Sequence, residues 1–209
     1  MVIPVMLCDR LAADPEDRTR AVENGQPVAG MSIADMDETK AIAACEKAVV
    51  AFPDVPRFHF QLGRALFKAR QYARTVEEME KAAEGGHSIA QGDLAYLYLK
   101  GPKGVPRDIA RAIRVGMPAA EAGVVSAMYT LGEAYAFDEP KTQDYAQARQ
   151  WYARAADEGA AQAMFALAQL FEKGLGGPVD RTQARLWYQR AADGGYARAT
   201  DALKRLDGQ

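Results

Sequence analysis

The sequence is poor in the residues that build metal centres and hydrolytic sites. Among 209 residues there are two cysteines, two histidines and only three serines (Ser32, Ser88 and Ser126). His59, His87, Cys8 and Cys45 are the only soft metal ligands, and none falls at the short spacings of a zinc site. No catalytic residue, metal or cofactor is therefore expected, and the chain reads as a non-enzyme. The scarcity of serine also argues against a long unstructured linker. No run approaches the roughly 18 apolar residues of a transmembrane helix, so membrane insertion is not expected. The apolar opening Met1-Val2-Ile3-Pro4-Val5-Met6-Leu7 is too short for a complete signal peptide and lacks its basic start; the stub of a longer natural protein is one reading of it. The formal charge is −2, with cations and carboxylates interspersed, so the clustered basic surface that nucleic acid or an anionic membrane requires is missing. What the chain does have is apolar material for a core: 49% of residues are hydrophobic and 26% charged.

That material repeats. The phrase Ala-Ala-acidic-x-Gly occurs at Ala82–Gly86, Ala119–Gly123, Ala155–Gly159 and Ala191–Gly195, so its final Gly recurs after 37, 36 and 36 residues. Between these lie Leu62-Gly63, Leu94-Ala95, Leu131-Gly132 and Leu167-Ala168, each followed by a large apolar residue: Leu66, Tyr98, Tyr135 and Phe171. Ala127, Leu131, Ala134 and Tyr135 follow helical spacing and give one buried stripe. The small residue beside each Leu admits a neighbouring helix at close range. The second half of each repeat starts at an acidic N-cap candidate (Asp108, Asp144, Asp180) and ends at a Gly suited to a left-handed C-cap. Each repeat is thus helix A, loop, helix B and a Gly stop. One such hairpin cannot bury both its faces, so neighbours must stack.

The units from Ala127-Met-Tyr-Thr-Leu131-Gly132 to Ala155-Ala156-Asp-Glu-Gly159 and from Ala163 to Gly195, with their Trp151-Tyr152 and Trp187-Tyr188 pairs, resemble the Sel-one-like repeat (SLR) of bacterial proteins. The unit from Ala90 to Gly123 resembles it too, but has Val115-Gly116 in place of the aromatic pair and Pro118 inside helix B, where a kink or a shortened helix is expected. Phe58-His-Phe-Gln-Leu62-Gly63-Arg-Ala-Leu66 resembles a tetratricopeptide repeat (TPR), because its Leu-to-Ala gap is 20 residues against 24 or 25 in the others. The resemblance implies an all-α fold, a right-handed superhelical solenoid of TPR/SLR helical hairpins. Its expected parts are an irregular N-terminal segment (1–37), TPR-like helices (38–86), three SLR units (87–123, 124–159 and 160–195) and a C-terminal capping helix (196–209).

Residues 1–37 stand apart, with loop signals at Asp14-Pro15-Glu16-Asp17, Asn24-Gly25 and Gln26-Pro27. Cys45 falls on the apolar face of its helix, beside Ile42 and Val49. Cys8 and Cys45 are either buried free thiols or a disulfide tying the N-terminal segment to the first helix, which would imply an oxidising compartment, periplasmic or secreted rather than cytoplasmic. The stretch Cys8-Asp-Arg-Leu-Ala-Ala-Asp14-Pro15 beside mixed repeats is also similar to the C-terminal parts of secreted bacterial proteins that carry a caspase-like hydrolase domain.

Gly174-Leu175-Gly176-Gly177 precedes a helix, but it lacks the preceding strand and the following Lys-Ser/Thr of a phosphate cradle, and reads as the turn between helices A and B. The tryptophan pairs read as packing, and the arginines of helices B as a solvated outer face. What remains is the inner surface. By analogy with TPR arrays, the residues two before and two after each Leu face inward: Phe60 and Arg64, Gly92 and Tyr96, Tyr129 and Glu133, Phe165 and Gln169. Aromatics with polar neighbours suit a peptide-binding trough, although packing between helices accounts for them equally. The expected function is a noncatalytic scaffold that binds a peptide or partner domain in its concave groove, as a monomer or weak dimer. Two alternatives remain: the accessory region of a secreted hydrolase, and a self-assembling envelope protein.

Overall fold

The computed structural model describes residues 4–17, 22–23, 26–27, 29–137 and 143–207. Among these the chain is all-α apart from one two-residue antiparallel ladder, β1 (Val22–Glu23) with β2 (Gln26–Pro27). The turn residues Asn24 and Gly25 lie outside the described residues. Two compact units divide the chain at residue 107. The first holds α1 (Pro4–Ala12), α2 (Glu38–Ala51), α3 (Pro56–Lys68), α4 (Tyr72–Glu84) and α5 (Ser88–Lys100). The second holds α6 (Ile109–Glu121), α7 (Val125–Ala136), α8 (Tyr145–Asp157), α9 (Ala161–Lys173), α10 (Arg181–Asp193) and α11 (Ala197–Asp207). Within each unit every helix packs on the next, as stacked hairpins require.

The recurring Ala-Ala-acidic-x-Gly phrase is a helix terminator with a specific hydrogen-bond pattern. Gly86, Gly123, Gly159 and Gly195 adopt φ of 82°, 93°, 91° and 83°, the left-handed conformation that costs Gly least. Each donates its N–H to the second Ala of its phrase, and the following residue donates to the first: His87 to Ala82, Val124 to Ala119, Ala160 to Ala155 and Tyr196 to Ala191. Two carbonyls that the ending helix would orphan are thereby satisfied. At the opposite end, Asp108, Asp144 and Asp180 accept from backbone N–H groups of the first turn.

The small residue beside the landmark Leu is a matter of contact. A Cβ on Gly132 would stand 2.4 Å from the Tyr152 ring, and one on Gly63 would stand 2.9 Å from the tip of Met79. Trp151 and Trp187 are covered by the guanidinium groups of Arg154 and Arg190, at 4.4 and 4.6 Å from the ring centroids. Pro118 does not shorten α6, contrary to expectation, since this helix has the same 13 residues as α8 and α10. The one N–H lost lies in the last turn, where Ala122 donates to Pro118 and Val124 to Ala119, and the buried Ala112, Gly116 and Ala119 hold the helix in place.

The N-terminal segment is likewise not irregular throughout, because α1 occupies residues 4–12 within it. The helix buries Cys8 and Ala12 against Ala41, Cys45, Phe58 and Leu62. Cys8 and Cys45 form a disulfide across a sequence separation of 37. Burial and the cross-link together stabilise nine residues that would be too few for an isolated helix.

Candidate protein-interaction site

In the first unit the polar side chains of α3 already hold the chain's own N-terminal segment, at Asp9, Ala12, Asp14, Met31, Ala34 and Met36. Arg64, only 2% exposed, donates from Nη1 to the Ala12 carbonyl (2.7 Å) and from Nη2 to the Met31 carbonyl (3.0 Å). Its Nε faces Asp14 Oδ2 at 3.2 Å. Ala12 ends α1, so Arg64 satisfies one of the carbonyls that the helix terminus leaves open. One turn earlier on α3, Gln61 donates to the buried carboxylate of Asp9 (2.7 Å), and Arg57 Nε stands 3.5 Å from the same oxygen. The Gln61 carbonyl oxygen lies 2.9 Å from Cys8 Sγ; a disulfide sulfur carries no proton, so this is a close S···O contact. Lys68 reaches the carbonyls of Ala34 and Met36. His87 Nδ1 accepts from Ala90 N–H, which leaves Nε2 to donate to Asp17 Oδ2 at 3.3 Å.

This changes the standing of two candidate groove residues. Phe60 is fully buried, its ring 4.3 Å from that of His87, and Arg64 lies beneath the N-terminal segment. Neither lies on an open trough. Tyr96 of α5 is 42% exposed and borders a cavity of about 280 Å³ with Ile33, Arg64, Thr75 and Asp93. Asp93, partly exposed on that cavity, has its pKa raised to about 7 by desolvation and then by the nearby Asp14 carboxylate, against the opposing pull of Arg64 and His87. Burial lowers the pKa of Arg64, while Asp14, Asp93 and Asp17 resist that shift. His59 faces away from this cluster, its ring nitrogens 2.6 Å from Glu78 and 2.7 Å from the Pro53 carbonyl, a packing role.

In the second unit no segment of the described chain covers the equivalent positions in this way. Tyr129 is partly buried, its ring 5.7 Å from Tyr152, and burial followed by the Glu133 carboxylate pushes its pKa up to about 12. Phe165 is buried between Tyr188 and Tyr196, with ring centroids 5.4 and 5.1 Å away, and the Arg198 guanidinium lies 5.3 Å from its own centroid. Gln169 opens on a cavity of about 500 Å³ between α9 and α11. The aromatic register thus works mainly as packing, with Glu133 partly buried beside Tyr129 and Gln169 partly exposed on its cavity.

The repeat landmarks, with their terminators, caps and Gly-to-ring contacts, coincide with a family model. The Sel1 repeat model matches residues 88–114, 125–159 and 161–196. The chain carries three Sel1 repeats. Solved Sel1-repeat structures share the fold. One is a protective antigen of uropathogenic Escherichia coli displaying an SLR fold, 28% identical with a TM-score of 0.71, where the match covers 81% of this chain and 37% of that one. Another is a Sel1 repeat protein from Oxalobacter formigenes, 27% identical with a TM-score of 0.67, covering 78% and 66%. A third, from Klebsiella pneumoniae, is 20% identical with a TM-score of 0.56 and shares the fold alone. The chain therefore spans about a third and two thirds of the lengths of the first two. No curated protein matches it.

Sel1 repeats generally serve as protein-interaction scaffolds, and two further features of this chain bear on its site. The Gly174–Gly177 turn is the reverse of an anion cradle: the carbonyls of Leu170, Leu175 and Pro178 converge on the Arg149 guanidinium at 2.9, 2.5 and 3.2 Å. Arg149, read from sequence as solvated surface, is thus a lock on the loop of the following repeat. The clasp on the N-terminal segment was also missed. Its signal was a polar stripe, Arg57, Gln61 and Arg64, at helical spacing on a helix that otherwise buries apolar residues. Such a stripe marks a face that meets polar backbone.

Proposed function

We propose that the chain is a noncatalytic scaffold that holds a peptide or partner domain against the inner faces of α7 and α9, through Tyr129, Glu133, Phe165 and Gln169. The observation that carries this reading is internal. In the first unit Arg64, two residues after the landmark Leu, and Lys68, one turn further along, already hold the chain's own N-terminal segment by its Ala12, Met31 and Ala34 carbonyls. A face that binds its own chain in this way has the chemistry to bind another. The disulfide between Cys8 and Cys45 favours an oxidising compartment, periplasmic or secreted, as the place where it works.

Site-specific photo-crosslinking tests the reading. A photoreactive residue at Gln169 should crosslink one discrete protein in extracts of the source bacterium. The same residue at Leu186, exposed on helix B of the last hairpin, should not. Equal labelling from both positions, or none from Gln169, would refute a partner on the inner face.

A further inference from the structure

The arginine pair that clasps the N-terminal segment occurs twice in the chain. α3 carries Arg57-x4-Leu62-x-Arg64, and α11 carries Arg198-x4-Leu203-x-Arg205. The intervening inner helices have other residues at these two places: Ile89 and Tyr96 in α5, Ser126 and Glu133 in α7, Gln162 and Gln169 in α9. On α3 both arginines face α1 and the chain that follows it, where they meet the carboxylates of Asp9 and Asp14. On α11 both face α9, the helix that precedes it in the same sense: Arg198 lies over Phe165, and Arg205 holds Glu172 at 2.6 and 2.9 Å.

The difference is occupancy. Arg64 is buried under its segment, whereas the Arg205 side chain is 51% exposed at the rim of the α9–α11 cavity. Lys173 adds a third cation to that rim against the two carboxylates of Glu172 and Asp201, so the balance is 3 − 2 = +1. Glu172 also accepts from the Tyr188 hydroxyl at 2.7 Å. It keeps a hydrogen-bond donor if Arg205 swings to an incoming carboxylate, so the exchange leaves the Glu172 carboxylate hydrogen-bonded. The Phe165 ring and Ala202 supply an apolar floor, and the Gln169 amide can bond to peptide backbone.

We propose that the α9–α11 groove is the docking site for an acidic segment of a partner protein. Arg198 and Arg205 receive carboxylates, as Arg57 and Arg64 do within the chain. The model of the ligand is the chain's own Asp9-Arg-Leu-Ala-Ala-Asp14-Pro-Glu-Asp17, rich in carboxylates and broken by a proline. This rests on the scaffold reading above and adds the partner's chemistry to it.

The test uses a fluorescein-labelled peptide of the sequence of residues 9–17, titrated into the full oxidised chain by fluorescence anisotropy. The intact disulfide keeps the chain's own copy of the segment on α3, so α3 is blocked. Binding should be saturable and should weaken as salt rises. It should fall by about tenfold for each of Arg198→Gln and Arg205→Gln, the size of one charge-assisted hydrogen bond. It should also be lost when the peptide's Asp and Glu become Asn and Gln. Circular dichroism and melting should match the parent chain, because both arginines are exposed. Absence of binding, or binding indifferent to both substitutions, overturns the proposal. So does self-association that needs Arg198 and Arg205, since the occupant would then be a second copy. Crosslinking from Gln169 in a chain that ignores the acidic peptide would leave the scaffold reading standing while this proposal falls.

Discussion

Replacing Asp93 by Asn should make the chain more stable at neutral and alkaline pH and leave it nearly unchanged in acid. The Asp93 carboxyl moves from an ordinary 3.8 to about 7 on folding, because its partial burial on α5 disfavours the charged form and the Asp14 carboxylate adds to that. A carboxyl with a raised folded pKa takes up a proton on folding, so the native state binds more protons than the unfolded chain between those two values. Stability is then greatest below pH 4 and declines as pH rises through 7. The gap of about 3 pH units corresponds to about 4 kcal/mol at 1.36 kcal/mol per unit. That is a ceiling, because Asp93 is partly exposed and water screens its charge. We expect on the order of 1–2 kcal/mol, or a few degrees in Tm. Asn mimics the protonated acid and cannot ionise, so melting curves of the two proteins should nearly coincide at pH 4 and separate steadily to pH 8. Hydrogen exchange at the Met31 N–H, which donates to the Ala13 carbonyl, should show the same divergence locally. Parallel stability profiles across that range, or an Asn variant that loses stability faster with rising pH, would refute the buried-carboxyl argument.

Reduction, or the pair Cys8→Ser with Cys45→Ser, opens a loop of sequence separation 37; loop entropy sets a loss of about 4 kcal/mol. Limited proteolysis should then cut within residues 13–36 first, and identical digestion of oxidised and reduced chain would contradict the clasp. Gly132→Ala drives a methyl to 2.4 Å from Tyr152 and should cost about 1–3 kcal/mol in urea unfolding. Gly63→Ala should cost less, because the flexible end of Met79 can yield, and the reverse order would mean the ring contact is not what selects Gly. Arg149→Ala releases the carbonyls of Leu170, Leu175 and Pro178 and should destabilise by about 1.5–3 kcal/mol. An effect confined to surface-charge size, below about 0.5 kcal/mol, would show that the loop holds itself.

The repeat was legible because its determinants are local. A Gly that must be left-handed, an Asp that must cap and a small residue that must admit a ring each leave a mark at a fixed offset, and four copies in register make the marks hard to mistake. Asp144 and Gly159 state their roles within a few residues of themselves. Arg64 does not. Its partners are Ala12, Asp14 and Met31, some 33 to 52 residues away, and two of those contacts go to carbonyls, which every residue has. The repeat register offered Arg64 as a groove residue, and it carried no information about the segment that covers it. The same blindness applied to Arg149, whose acceptors are the carbonyls of the next loop.

That asymmetry gives the second arginine pair its interest. Arg64 and Arg205 stand alike in the chain, each two residues beyond a Leu and seven beyond another Arg. The structure separates them by what they hold: one is buried against the Ala12 and Met31 carbonyls and the Asp14 carboxylate of its own chain, the other is half exposed beside a cavity and holds Glu172. A buried guanidinium is tolerated only when its donors are matched, and residues 12–31 do the matching on α3. An exposed guanidinium carries no such requirement, but Arg205 already meets both oxygens of Glu172 in a fork, a geometry that lysine, a point charge, does not reproduce. Arg205 is therefore best tested against lysine. If the groove takes carboxylates in forked geometry, Arg205→Lys should retain stability and weaken the acidic peptide; if it is only a surface ion pair, both should be unchanged.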